Sequence, residues 1–152
     1  MAEEKDAEGM PASKKQVDLA LSSDLKSVDT AETVVLELAQ RLGFSEDETH
    51  KIGIALREAM VNAVVHGNKY SAHKKVHLGV WEENGGLRIV VSDEGAGFDL
   101  GSVPDPLAEE NLLRESGRGI LLMQAFVDEF QVRKLSPYGM EITMVKYAAQ
   151  KS

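Results

Sequence analysis

The sequence contains no cysteine. That absence removes disulfides, thiol catalysis and thiolate-bound metal, and a reducing cytoplasm is the expected setting. No apolar run approaches the roughly 20 residues of a membrane-spanning helix. The opening stretch MAEEKDAEGMPASKKQ lacks the apolar core of a signal peptide. Positive charge is scarce as well: 17 Lys and Arg stand against 25 Asp and Glu, a formal charge of −8. A protein that grips nucleic acid would carry a basic face, so neither direct nucleic-acid binding nor a membrane role is expected. What remains is ordinary globular material, 43% hydrophobic and 28% charged, and 152 residues suffice for one domain with a proper core.

Residues 1–15 are polar and aperiodic and read as a disordered tail, leaving a single domain over 16–149. Val17, Leu19 and Leu21 alternate as an edge strand would. Ser23 or Asp24 can cap a helix whose stripe is Val28, Ala31, Val35, Leu38 and Leu42, and Gly43 ends it. Ser45 and Glu48 form a capping box for a second helix with Ile52, Ala55 or Leu56, Ala59 and Ala63 on its apolar side. His66-Gly67-Asn68 closes that helix. Val76, Leu78 and Val80 alternate, Asn84-Gly85-Gly86 signals a hairpin, and Leu87, Ile89 and Val91 alternate again. A long connection over 95–116 leads to a third helix from about Gly117 to Phe126. A final hairpin folds about Ser136-Pro137-Tyr138-Gly139. Helices early and strands late predict an α+β fold: a two-layer sandwich with a mixed, mostly antiparallel sheet covered on one face by helices. No internal repeat is present.

Three places carry chemistry. Asp93 shares strand parity with Leu87, Ile89 and Val91, so it should face the helices, where an unpaired carboxylate is costly. The exocyclic amine of adenine is one donor that would satisfy it; a turn-forming aspartate at a strand end is the plainer alternative. Glu58 and Asn62 lie four apart on one helix face. They suit Mg²⁺ or, for the carboxylate, acceptance of a proton from an attacking hydroxyl. Taken alone, the pair equally describes the polar edge of an amphipathic helix. Gly117-Arg118-Gly119 would set free helix amides near phosphate, with Arg118 or Arg114 as charged donors. His66 fits the end of its helix, and Met60, Met123, Met140 and Met144 read as core.

In order and spacing, these signals are more specific than any one alone. Glu-Ala-Met-Val-Asn-Ala-Val-Val-His-Gly-Asn (58–68), Asp-Glu-Gly-Ala-Gly-Phe (93–98) and Ser-Gly-Arg-Gly-Ile-Leu-Leu-Met (116–123) resemble the three ATP-binding boxes of the GHKL (histidine kinase-like) ATPase superfamily. The His-Gly-Asn ending and the phrase Met123-Gln-Ala-Phe-Val-Asp128-Glu129 narrow the resemblance to the small anti-sigma factor serine/threonine kinases. It covers roughly Val17 to Lys146 and implies the ATP-binding fold of that superfamily, with ATP and Mg²⁺ as cofactors. Glu58 would be the general base, Asn62 the Mg²⁺ ligand and Asp93 the partner of the adenine amine. Gly95, Gly97 and Phe98 would line the base. Residues 99–116 would form the lid, and Arg114, Ser116, Gly117, Arg118, Gly119 and Ile120 would lie at the phosphates. Many relatives carry Gly-Thr where this chain has Gly139-Met140, so the threonine contact near adenine is missing; Thr143 falls on the wrong strand face to replace it.

The resemblance implies an ATP-dependent kinase that phosphorylates a STAS-domain anti-anti-sigma protein, sequesters a sigma factor, and forms a homodimer. A non-catalytic regulator clamped by ATP is the alternative. A histidine-kinase ATPase domain is the more distant one, because no helix offers a phospho-accepting histidine with a dimerising heptad.

Overall fold

The computed structural model describes residues 14–95 and 119–148. Strand β1 (Lys14–Ser22) leads into helices α1 (Leu25–Arg41) and α2 (Glu46–Val61), the second continuing as a π-helical turn over Asn62–Gly67. Strands β2 (Lys75–Glu83) and β3 (Gly86–Ser92) follow, then helix α3 (Gly119–Phe126) and strands β4 (Glu129–Lys134) and β5 (Met140–Tyr147). The sheet order is β1-β2-β3-β5-β4. Each of the four pairings is antiparallel, so the parallel component of the expected mixed sheet is absent among the described residues.

Local chemistry explains most of the boundaries. Asp24, not Ser23, caps α1: its carboxylate accepts from the Ser27 amide at 3.0 Å. Ser45 and Glu48 close a reciprocal capping box on α2, at 3.0 and 2.8 Å. Asn84 and Gly85 both take positive φ (54° and 75°), as the tight turn between right-twisted strands requires. Strand β1 begins at Lys14, inside the stretch 1–15 expected to be tail and three residues before Val17 opens the apolar alternation; Lys14 and Lys15 pair with Glu82 and Trp81 of β2.

The core lies between the helices and one sheet face. Val35 and Leu38 of α1, Ile52 and Leu56 of α2, Met123 of α3 and Leu78, Ile89 and Met144 of the sheet are all fully enclosed. Each such side chain contributes about 1.5–3 kcal/mol by leaving water. All four methionines assigned to the interior are there. Across the top of the helical layer, Arg57 of α2 reaches Asp29 and Glu32 of α1 at 3.0 and 2.9 Å. The opposite sheet face carries no helix among the described residues. There Trp81 lies over Gly79, with Lys15 and Arg88 placed 4.8 and 4.4 Å from its ring centre.

Candidate functional site

The site is assembled where α2 ends. Glu58 occupies its last turns, and the helix then widens: the Asn68 amide bonds back to the Ala63 carbonyl at 2.8 Å, five residues earlier. A π-turn of this kind shifts the facing of everything after it and recurs at functional positions. Glu58 and Asn62, both half-buried, therefore stand at the junction between regular and widened helix.

Helix α3 begins against this junction. A Cβ placed on Gly119 would lie 2.9 Å from Glu58 Oε1, so only a glycine lets the first turn of α3 approach the carboxylate this closely. Gly119, Ile120 and Met123 are buried. The start of α3 supplies amides without helical partners in a field that favours negative charge. A proton acceptor and an anion-attracting helix end are thus side by side, the arrangement a phosphoryl acceptor needs near its oxygen.

Asp93 lies at the exit of β3, 4% exposed and turned inward as its strand parity predicts. Its Oδ1 accepts two backbone amides, from Gly95 at 2.9 Å and Met140 at 3.2 Å, while its own amide bonds the Met140 carbonyl at 3.0 Å. Oδ2 rests on Gly67, where any Cβ would collide with it, and the Gly67 carbonyl presses on Gly95 in the same way. Among the described residues Oδ2 accepts no hydrogen bond, which leaves it suited to one external N–H donor such as the amine of adenine. Burial lifts the Asp93 pKa above the ordinary carboxylate value, against the lowering pull of the Gly95 and Met140 amides.

The Met140 backbone amide also changes the meaning of the missing threonine. Position 140 anchors Asp93 through its main chain, whatever its side chain, and the Met140 side chain is buried. Thr143 does lie on the opposite face, paired with Val90 and Gln131.

One residue of the site carries no signal in the sequence beyond its place in the first box. Asn68, 1% exposed, donates to Ser23 Oγ at 2.8 Å and the Lys75 carbonyl at 2.9 Å, and accepts from the Glu94 amide at 2.8 Å. An Asn following Gly at a helix end reads as a local cap; its partners 45 and 26 residues away appear only in the fold.

Gly97, Phe98, Arg114, Ser116, Gly117 and Arg118, with the expected lid, lie outside the described residues. Among the described residues no three His, Asp or Glu side chains gather to hold a metal ion. A side-chain amide oxygen such as that of Asn62 is the kind of hard donor that Mg²⁺ takes together with phosphate and water.

Comparison with known proteins gives the geometry its context. A family profile described as "Histidine kinase-like ATPase domain" matches residues 21–146. The serine-protein kinase RsbW of Bacillus subtilis is 34% identical over 72% of this chain and 71% of its own length. The anti-sigma F factor of Bacillus thuringiensis is 28% identical over 87% of this chain and 92% of its own. The crystal structure of the RsbU and RsbW domains of a Mycobacterium tuberculosis protein superposes with a TM-score of 0.65 at 16% identity, covering 90% of this chain. This chain spans 33% of that longer protein. With its boxes at positions 58, 93 and 119 converging in an α+β fold, the chain belongs to the histidine kinase-like (GHKL) ATPase family, in the group of RsbW and the anti-sigma F factors.

Proposed function

We propose that this chain is an ATP-dependent serine kinase that phosphorylates a STAS-domain anti-anti-sigma protein and, in its other state, holds a sigma factor. The observation that carries the reading is the placement of the Glu58 carboxylate against the glycine that opens α3. A histidine kinase-like domain that only clamped nucleotide would have no use for a proton acceptor at that point.

In this reading Asp93 Oδ2 takes the adenine amine and the α3 amides take the phosphates. Asn62 would hold Mg²⁺, whose charge neutralises the phosphates when bound. Glu58 would accept the proton from the partner's serine hydroxyl as its oxygen bonds to the transferred phosphorus and the bond to the nucleoside diphosphate breaks. Catalysis of this kind rests on positioning and fixed charge. The names of the relatives, serine-protein kinase and anti-sigma factor, support both halves of the proposal. A homodimer comes with the resemblance, and a cytoplasmic setting with the absence of cysteine; no helix among the described residues is long and apolar enough to cross a membrane.

The ATP-clamp alternative has two motives: Met140 in place of the usual threonine, and the lack of a recognisable substrate site in the sequence. Because the amide of Met140 anchors Asp93 through the main chain, the first motive weakens. Transfer of labelled γ-phosphate from Mg²⁺-ATP to STAS-domain partners, comparing wild type with Glu58→Gln and Asn62→Ala, decides between the two. Transfer lost in both variants supports the kinase. Nucleotide binding by the wild type with no transfer to any serine-bearing partner rejects it.

A further inference from the structure

Nucleotide-site carboxylates act by direction as much as by charge. A hydrogen bond from a ring amine to one carboxylate oxygen weakens steeply as its angle falls away from linear. What fixes Asp93 in direction is therefore a functional question. Met140 fixes its β5 side, through the amide bond to Oδ1 and the carbonyl bond to its own N–H. The other side is the peptide joining Asp93 to Glu94, whose N–H is part-buried and points at Asn68 Oδ1, 2.8 Å away.

Asn68 is itself held without slack. Both of its amide donations are used, to Ser23 Oγ and to the Lys75 carbonyl, and Ser23 Oγ donates in turn to the Lys74 carbonyl at 2.5 Å. This fixes which end of the amide is oxygen, since a flipped side chain would point N–H at N–H. The residue beside it, Gly67, is the floor on which Asp93 Oδ2 rests. On the solvent side the Glu94 carboxylate accepts the Lys75 amide at 3.2 Å and meets His77 Nε2 at 2.7 Å. The short segment Asp93-Glu94-Gly95 is thus gripped from β5, from β2 and from the end of the π-turn, and among the described residues the one buried side chain that hydrogen-bonds its backbone from another element is Asn68.

We propose that Asn68 is a positioning residue for base recognition: through the Glu94 N–H it aims Asp93 Oδ2 at the exocyclic amine of the purine, and so sets the preference for adenine. The inference rests on the nucleotide reading above and deepens it. Asn68 touches no nucleotide in this scheme; it acts through the Glu94 peptide. Its loss should therefore weaken discrimination at the base while leaving the phosphate end, built from α2 and α3, in place.

The test compares Kd for Mg²⁺-ATP with Kd for Mg²⁺-ITP, which carries a carbonyl oxygen where ATP carries the amine. Asn68→Ala is expected to lower the ITP-to-ATP Kd ratio about tenfold, the scale of one directional bond to a charged acceptor, chiefly by weakening ATP. Asn68→Asp keeps an oxygen facing the Glu94 amide but loses both donations that orient it, so it should lower Tm and leave a ratio between those of Ser23→Ala and Asn68→Ala. Val35→Ala, a core cavity in α1 at a residue outside all three boxes, should lower Tm and leave the ratio unchanged. Ser23→Ala removes one acceptor that orients the amide, and a partial fall of about threefold is expected from the loss of one neutral bond. A ratio in Asn68→Ala equal to that of the wild type, with only Tm reduced, overturns the proposal. Should Asn68→Ala fail to fold, an unchanged ratio in Ser23→Ala overturns it equally. Failure of the wild type to bind either nucleotide is a different result: it rejects the nucleotide reading, and this inference with it.

Discussion

The Glu58 carboxylate and the backbone of Gly119 are in contact across the junction of α2 and α3, close enough that a single added methyl would lie 2.9 Å from Oε1. Two boxes sixty-one residues apart in the chain meet at one atom. Gly119→Ala should therefore push the carboxylate aside without removing it. Misplacing a reacting group by about 1 Å costs about 10²-fold in rate, so phosphate transfer should fall by about that factor. The fold should persist, because the obstructing atom is the end of a flexible side chain. Single-turnover transfer beside thermal melting checks this; an unchanged rate would remove Glu58 from the reaction.

Asp93→Asn should separate stability from binding. Asparagine keeps an oxygen for the Gly95 and Met140 amides and removes a buried charge, so Tm near neutral pH should hold or rise. It sets an N–H₂ where the amine of adenine would donate, and ATP binding should weaken by about 10- to 150-fold, the range for losing a bond to a charged group. Calorimetric Kd values with melting curves provide the comparison.

The same carboxylate gives a pH signature. Its folded pKa is raised, chiefly by burial, so the folded chain holds this proton more tightly than the unfolded chain does. Its contribution to stability is fully present below the unfolded value and is lost as pH rises through the raised folded value. The wild-type stability curve of the free protein should thus decline across that window relative to Asp93→Asn. Parallel curves for the two proteins would contradict the burial seen here.

Gly67→Ala should be among the most damaging single-methyl changes in the chain. The new Cβ has to displace the Asp93 carboxylate, a buried side chain tied to two backbone amides and not a loose one. Overpacking of this sort costs about 1–3 kcal/mol. Denaturant unfolding measures the loss, and ATP titration should show weaker binding in the protein that remains folded.

Ser45→Ala provides the contrast. Removing the capping box at the start of α2 should cost about 1 kcal/mol of stability. The cap lies more than three helical turns from Glu58, so the rate of transfer by the folded fraction should match the wild type. A large loss of activity there would mean the far end of α2 feels its start.

Features set by neighbouring residues were legible from sequence: the Ser45/Glu48 box, the Asn84-Gly85 turn and the inward parity of Asp93 each depend on spacings of a few positions. The choice between Ser23 and Asp24 as cap was not, because Ser23 is claimed by Lys74 and Asn68, partners that only tertiary folding brings near. The π-turn at 62–67 also escaped, since its apolar spacing through Ala63 and Val64 fits an ordinary helix. The start of β1 fell within the stretch read as tail, because lysines pair in a ladder without contributing to an apolar alternation.

Trp81 is the chain's one tryptophan, and it lies on the sheet face that carries no helix among the described residues, bedded on Gly79 between Lys15 and Arg88. The proposed nucleotide site lies on the other side of the sheet, around Asp93 and Glu58. The protein therefore carries an intrinsic optical reporter wired to one surface alone. Its emission should shift when a second protein covers that face and displaces the two cations, and stay quiet when nucleotide enters the site behind it.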